Sequence, residues 1–265
     1  MSVFTVCEDS MTNPPAILLI RPQMGENIGA AARAMANFGL GELRLVAPRD
    51  GWPNPKASDT AGKALDVIDD AAVHATVGEA LADCQFVLAT TARARAMSLP
   101  VLEVREAMLE LRTRAARGEK CAVMFGPERT GLENEDMVLA NAVVTIPVAP
   151  EYTSLNIGQA VVVCAYEWWM SQQGNVGASS DAHNFTAPSP NPLPCGERAS
   201  PVAPLSILSG LLDQLEAALD AENFWRVPEK KEVMWRNIRA TLVRAGMSEQ
   251  EIATWRGMVK ALRGE

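Results

Sequence analysis

Ala16-Ile17-Leu18-Leu19-Ile20 runs into Arg21-Pro22 and a turn rich in Gly and Asn. An alanine-rich stretch follows from about Ile28 to Phe38, closed by Gly39 and Gly41, and then a second aliphatic run, Leu43 to Val46. The aliphatic runs are apolar at every position rather than every second one, which is the pattern of strands buried on both faces. The alanine-rich piece between them reads as a helix. Strand, helix and strand over some thirty residues is the unit of a parallel sheet, and the unit recurs downstream. Ala57 to Val67 reads as a helix, Gly78 to Ala82 as a short one, and Phe86 to Thr91 as a strand. Leu102 to Arg117 reads as an amphipathic helix with Val104, Met108, Leu109 and Leu111 on its apolar side and Gly118 as its stop. Cys121 to Phe125 and Val143 to Val148 read as further buried strands, and Asn156 to Met170 as a strongly apolar helix. The fold class is α/β, a parallel sheet with helices on both faces.

The chain has 265 residues, 48% of them apolar, and a net charge of −8. That is enough apolar material for a large core, and it excludes wholesale disorder. The acidic balance removes any global electrostatic argument for nucleic-acid binding, so such a function has to rest on local groups. The basic groups that do cluster are Arg93, Arg95, Arg112, Arg114 and Arg117. Five cysteines are scattered with no C-x-x-C pair, and there are only two histidines. A zinc site or disulfide framework is not expected, nor any metal, and a reduced, cytoplasmic location is. The first residues lack a basic segment followed by an apolar one, so no signal peptide is expected. Ala160 to Tyr166 is the longest apolar run, far too short to cross a bilayer.

The rhythm divides the chain into a tail (1–14), an α/β domain (15–171), a linker (172–204) and a helical extension (205–265). The linker carries Gly174, Gly177, Pro188, Pro190, Pro192, Pro194, Pro201 and Pro204 among Ser and Asn, a composition that cannot bury enough apolar area to offset ordering. Leu205 to Ala221 and Pro228 to Ala245 have helical periodicity, and Ser248 with Glu251 forms a capping box at the start of a third helix. Trp225, Trp235 and Trp255 are expected in core or dimer packing.

Three words stand where an apolar strand hands over to a helix, the place where open α/β sheets collect ligands. They are Asn27-Ile28-Gly29-Ala30-Ala31-Ala32-Arg33, Phe125-Gly126-Pro127-Glu128-Arg129-Thr130-Gly131-Leu132 and Ser154-Leu155-Asn156. Together they offer a fixed cation, a carboxylate, a hydroxyl, two amides and glycines that admit close backbone approach. Gly25-x-x-x-Gly29 is not a dinucleotide fingerprint, Gly126 to Gly131 lacks the Lys-Ser/Thr of a phosphate-binding loop, and neither histidine is placed to serve a nucleophilic serine.

In order and separation, the three words resemble the three motifs of the SPOUT methyltransferases, in the SpoU/TrmH branch that methylates RNA ribose 2′-hydroxyls. The resemblance covers roughly residues 15–171. Thr90-Thr91-Ala92-Arg93-Ala94-Arg95, Pro150-Glu151-Tyr152-Thr153 and the tail ending Trp255-Arg256-Gly257-Met258 are similar to a bacterial tRNA-modifying subgroup acting on C or U at anticodon-loop position 32. The Pro-rich segment has no counterpart there.

This resemblance implies a deep trefoil knot in the C-terminal part of the sheet, a homodimer, a tRNA substrate and S-adenosylmethionine as methyl donor. It places the donor among Thr90, Thr91, Ala92, Gly126, Glu128, Gly131, Ile146, Val148, Ser154, Leu155 and Asn156. It makes Arg33, Asn27, Glu128, Ser154 and Asn156 the catalytic set, with Arg33, Arg93 and Arg95 toward RNA. Arginine stays protonated at all working pH, so Arg33 is read as the cation that stabilises the reacting oxygen, not as a base. Bland roles stand beside these: a turn for Asn27, a helix-dipole carboxylate for Glu128, an ordinary loop hydroxyl for Ser154 and an N-cap for Asn156. Ribosomal RNA as substrate, and a non-catalytic RNA-binding protein of the same fold, stay open as alternatives.

Overall fold

The computed structural model describes residues 13–91, 99–152, 154–173 and 201–263. Seven strands form a single, wholly parallel sheet: β1 (Ala16–Ile20), β2 (Leu43–Val46), β3 (Ala72–His74), β4 (Phe86–Thr90), β5 (Val101–Glu103), β6 (Cys121–Phe125) and β7 (Ala142–Thr145), in the order β3-β2-β1-β6-β4-β7-β5. Register is set by pairs such as Ile17 with Leu43 and Val123, and Leu88 with Val123 and Ala142.

Successive residues of each central strand feed different cores. Ile17, Leu19, Leu88, Val123 and Phe125 pack under α1 (Gly25–Asn37), α5 (Val104–Ala115) and α7 (Ile157–Gln172). Leu18, Ile20, Val87, Ala89 and Met124 belong to a second cluster on the opposite face. Two buried faces explain why these strands read as unbroken apolar runs. A fully buried leucine contributes about 1.5–3 kcal/mol, and Leu18, Leu19 and Leu88 of the central strands are all fully buried.

The sequence pattern and the structure differ where burial is partial. β3 and β5 are the two edge strands and are largely exposed, so no apolar run announced them. The stretch read as one helix from Ala57 to Val67 is two, α2 (Pro55–Ala61) and α3 (Leu65–Asp69), broken at Gly62, which takes φ +63°. Leu109 is exposed: the buried stripe of α5 is Val104, Met108, Leu111 and Ala115, and residue 109 lies about 100° from 108. The strand read as Val143 to Val148 ends at Thr145, because Pro147 has no N–H for a ladder.

Short helices α4 (Val77–Ala80) and α6 (Asn134–Met137) lead into β4 and β7. At the N-terminal ends of β2, β4 and β6 the sheet holds a closed ionic network. Arg44, buried on β2, grips Asp83 through two bonds of 2.6 and 2.7 Å and also reaches Glu42 and the carbonyl of Ala80. Lys120 joins from the start of β6, 2.8 Å from Glu42 and 3.7 Å from Asp83.

After residue 200 come α8 (Leu205–Ala221), α9 (Lys231–Ala245) and α10 (Glu249–Arg263), with a small core of Leu208, Leu211, Leu212, Trp235, Val243, Ile252 and Val259. Ser248 and Glu251 cap α10 reciprocally, as their spacing required. Trp225 packs edge-on against Trp235, whereas Trp255 is exposed. The extension docks on the α/β domain by main-chain bonds, Leu205 N–H to Cys84 O (3.0 Å) and Ser206 N–H to Ala82 O (2.9 Å), and by Asn141 Nδ2 to Val243 O. Residues 174–200 of the expected linker lie outside the described residues. No described helix is long and apolar enough to cross a membrane.

Candidate active site

The C-terminal ends of β4, β6 and β7 open a crevice next to the β1–β6 pair, where the strand order reverses. A cleft of about 270 Å³ sits there. Its lining includes Thr90, Thr91, Gly126, Glu128, Gly131, Ile146, Val148, Ser154 and Leu155, all read from the sequence as cofactor contacts.

The loop after β6 folds back tightly on itself. Gly131 takes φ +67° and its N–H donates to Pro127 O at 2.8 Å, while a Cβ on Gly126 would collide with the backbone of Gly131 and Leu132. Leu132 is fully buried and anchors the loop's far end. Thr90 Oγ1 donates to Met124 O at 2.8 Å and the Thr91 N–H to Val144 O at 3.3 Å, fixing the β4 exit to both neighbouring strands.

The three sequence words meet through one chain of hydrogen bonds. Asn27 is buried in the first turn of α1, and its Nδ2 donates to Glu128 Oε1 at 2.7 Å. Its Oδ1 accepts from Asn156 Nδ2 at 2.9 Å. The other carboxylate oxygen of Glu128 accepts from the Gln23 N–H at 3.1 Å. Asn156 also caps α7, accepting from the Gly158 N–H at 2.8 Å while Gln159 reaches back to its own N–H, so its capping role and its place in the motif coexist. Glu128 is therefore aimed by the Asn27 amide and the Gln23 N–H, with Asn156 steadying Asn27 from the third word, and its side-chain partner is Asn27, not Arg33.

Arg33 departs from expectation in its own chain. It is exposed on α1 and is not among the residues lining the cleft. Six helical residues separate it from Asn27, about 120° around the axis once full turns are removed, so the two cannot face the same way. Asn156, also exposed, is likewise not among the residues lining the cleft. Ala92, Arg93 and Arg95 lie outside the described residues. Arg112 and Arg114 are structural cations: Arg112 donates to Ser171 O, and Arg114 pairs with Glu110 and Glu119 and stacks over Phe86.

The lining also takes in Phe125, Pro127, Arg129 and Thr130 of the second word, and adds Val144, Ile157 and Ala160, to which no role had been given. Those in the second word were legible as part of it. The aliphatic ones carry no chemical signal and enter the wall because their strands and helix end there. Arg129 is an exposed cation on the wall with no hydrogen bond or ion pair among the described residues.

Residues 14–166 match the SpoU rRNA Methylase family. The chain belongs to the SpoU methylase family. Among its relatives, the tRNA (cytidine/uridine-2′-O-)-methyltransferase TrmJ of Cronobacter sakazakii is 35% identical over 246 residues, 93% of this chain and 94% of that one. The TrmJ of Escherichia coli is 35% identical over 249 residues, with 93% and 94% covered. In structure, the SpoU-family chain resembles TrmJ from Z. mobilis with a TM-score of 0.80 at 40% identity, covering 94% of this chain and 99% of that one. AviRb from Streptomyces viridochromogenes, solved with AdoMet, shares the fold at 18% identity and a TM-score of 0.51.

Proposed function

We propose that this SpoU-family protein transfers a methyl group from S-adenosylmethionine to the ribose 2′-hydroxyl of a cytidine or uridine in tRNA, at anticodon-loop position 32. The observation that carries the reading is the Glu128–Asn27–Asn156 chain beside the cleft, which unites motifs 101 and 129 residues apart in sequence. Near-full-length relatives that are tRNA (cytidine/uridine-2′-O-)-methyltransferases supply the substrate class.

The cleft fits the donor chemically. Val144, Ile146, Val148, Leu155, Ile157 and Ala160 give an apolar wall for an adenine ring, and the glycine-pinned loop 126–131 brings main-chain polar groups close. When bound there, S-adenosylmethionine supplies an electrophilic sulfonium methyl and leaves as a neutral thioether. The protein's task is then to align the 2′-hydroxyl and stabilise negative charge on its oxygen. Glu128, held by two donors, orients polar groups at the cleft. Ser154, exposed on the wall, hydrogen-bonds substrate or donor. Arg33 presents a permanently charged fork to the 2′-oxygen and an adjacent phosphate, and Arg93 and Arg95 contact tRNA phosphates.

Because Arg33 does not line its own cleft, the reading requires a second copy to deliver it, hence a homodimer. Val162, Tyr166 and Trp169, at i, i+4 and i+7 on α7, form an exposed apolar stripe beside α1, where Phe38 packs edge-on against Tyr166 at 5.8 Å. Ala30 meets Gly158 of α7, and Arg33 is one turn further along the same side of α1. Pairing two such faces buries the stripe and carries Arg33 to the neighbouring molecule. A cytoplasmic location and the trefoil knot belong to the same reading.

The test is methyl transfer from labelled S-adenosylmethionine to total tRNA and to ribosomal RNA, with the product mapped. The expected outcome is 2′-O-methylcytidine or 2′-O-methyluridine at position 32 of tRNA. Label in ribosomal RNA alone would replace the substrate. Calorimetry showing no binding of S-adenosylmethionine would leave a non-catalytic RNA-binding protein.

A further inference from the structure

Asp136 is a carboxylate buried in α6, outside all three motifs, with no part in the chemistry above. A buried charge survives only with partners, and its partner is Arg21 at the end of β1. Arg21 Nη1 lies 3.2 Å from Asp136 Oδ1 and Nη2 lies 2.6 Å from Oδ2, a two-bond fork, with Glu133 Oε2 at 3.5 Å from Nη2. Asp136 Oδ2 also accepts from the Glu133 N–H at 2.8 Å, closing the reciprocal cap that starts α6.

Arg21 adopts φ +47°, a left-handed conformation that costs a non-glycine residue on the order of 1 kcal/mol, and its N–H is held by Val46 O at 2.8 Å. That turn swings the chain off β1 so that two neighbouring groups grip one segment. Arg21 holds Asp136 at its far end, and two residues on, the Gln23 N–H holds Glu128 at its near end. Between these points lie Arg129, Thr130 and Gly131 of the cleft wall. The pair is part-buried, Asp136 within the fold and Arg21 about one-third exposed, and such a pair adds little net stability over apolar groups, so what the two-bond fork contributes is the geometry it imposes.

We propose that Arg21 and Asp136 form a positioning pair that braces the loop 126–132 and thereby sets affinity for S-adenosylmethionine, without touching the reacting atoms. This rests on the methyltransferase reading. The pair acts on a bound-state geometry that Glu128 alone, held at one end of the segment, cannot define.

The experiment measures S-adenosylmethionine Kd by calorimetry, and kcat at saturating donor, for the 265-residue protein and its variants. Arg21→Gln and Asp136→Asn are each expected to raise Kd about tenfold with kcat within about twofold, and the double variant to be no worse than either single one, as coupled partners require. Arg21→Lys keeps the charge without the fork and is expected to fall between, with a melting temperature close to the parent's; it keeps the test decisive if a neutral variant fails to fold. Glu135→Gln cuts only the pairs from α6 to Arg236 and Arg239 and is expected to leave Kd unchanged. A lowered melting temperature with an unchanged Kd in Arg21→Gln and Arg21→Lys would make the pair merely structural and overturn the inference. A parent protein that binds no S-adenosylmethionine would overturn the functional reading and this role with it, whereas parent binding with unaltered variants overturns this role alone.

Discussion

At the N-terminal ends of the strands, Arg44, Glu42, Asp83 and Lys120 consume one another's charges and hydrogen bonds. At the C-terminal ends, Glu128, Asn27 and Asn156 are bonded to one another, but Arg129 and Ser154 face the cleft with no hydrogen bond or ion pair among the described residues, and Arg33 stands equally uncommitted on α1. Both ends are rich in polar groups. One satisfies them internally and stabilises the fold; the other aims a few and leaves the rest open for something that must bind. Whether a polar cluster is closed or open therefore separates structural from functional polarity better than the residue types in it, since arginine and carboxylate occur in both.

The contrast can be broken first at Arg33. If the open end is the reactive one, Arg33→Ala lowers kcat by about 10²–10³-fold or more while S-adenosylmethionine Kd, measured by calorimetry, stays within about twofold. Normal turnover would remove Arg33 from the mechanism.

At the closed end the expected loss is in stability. Arg44→Met leaves the carboxylates of Asp83 and Glu42 facing a desolvated gap and is expected to cost about 3 kcal/mol, at the low end for a broken buried pair because Asp83 is half-exposed. Thermal denaturation should show the midpoint falling by roughly 6–12 °C, with kcat per folded molecule unchanged. A loss of activity without a loss of stability would erase the distinction between the ends.

Acid titration sharpens it further. The hydrogen bonds from Arg44 hold the Asp83 carboxyl down at about 2, below the ordinary carboxylate value. Burial works against the Arg44 charge, yet the bonds to Asp83 and Glu42 raise its pKa above the usual range. Because the Asp83 pKa is depressed in the folded state, its contribution is complete above the unfolded value of about 4 and is lost as pH falls toward 2. Asp83→Asn should flatten that part of the stability curve, and an unchanged curve would count against the network. The smallest effect concerns the thiols. Burial pushes Cys84, Cys121 and Cys164 up to about 12, so peptide mapping after iodoacetamide at neutral pH should find all three unmodified in the native protein.

The central strands were legible because both of their faces are buried, which leaves uninterrupted apolar runs such as Ala16–Ile20 and Cys121–Phe125. The edge strands β3 and β5 were not, since exposed positions carry no such demand. The cleft's polar contacts were legible because their residue types are unusual at strand ends. Val144, Ile157 and Ala160 were not, for an aliphatic residue looks the same lining a cleft or filling a core. Arg21 and Asp136 escaped notice because an ion pair 115 residues apart leaves no local pattern.

Local pattern alone is enough to establish a parallel α/β sheet, a capped helical tail and three polar words at strand ends, because periodicity and capping are short-range properties. Folding alone decides that Asn27 bridges Glu128 and Asn156, that Arg33 turns away from the cleft of its own chain, and that Arg21 reaches Asp136. Those outcomes depend on the phase of a helix and the crossing of distant segments, which packing of the whole core sets and no stretch of neighbours encodes.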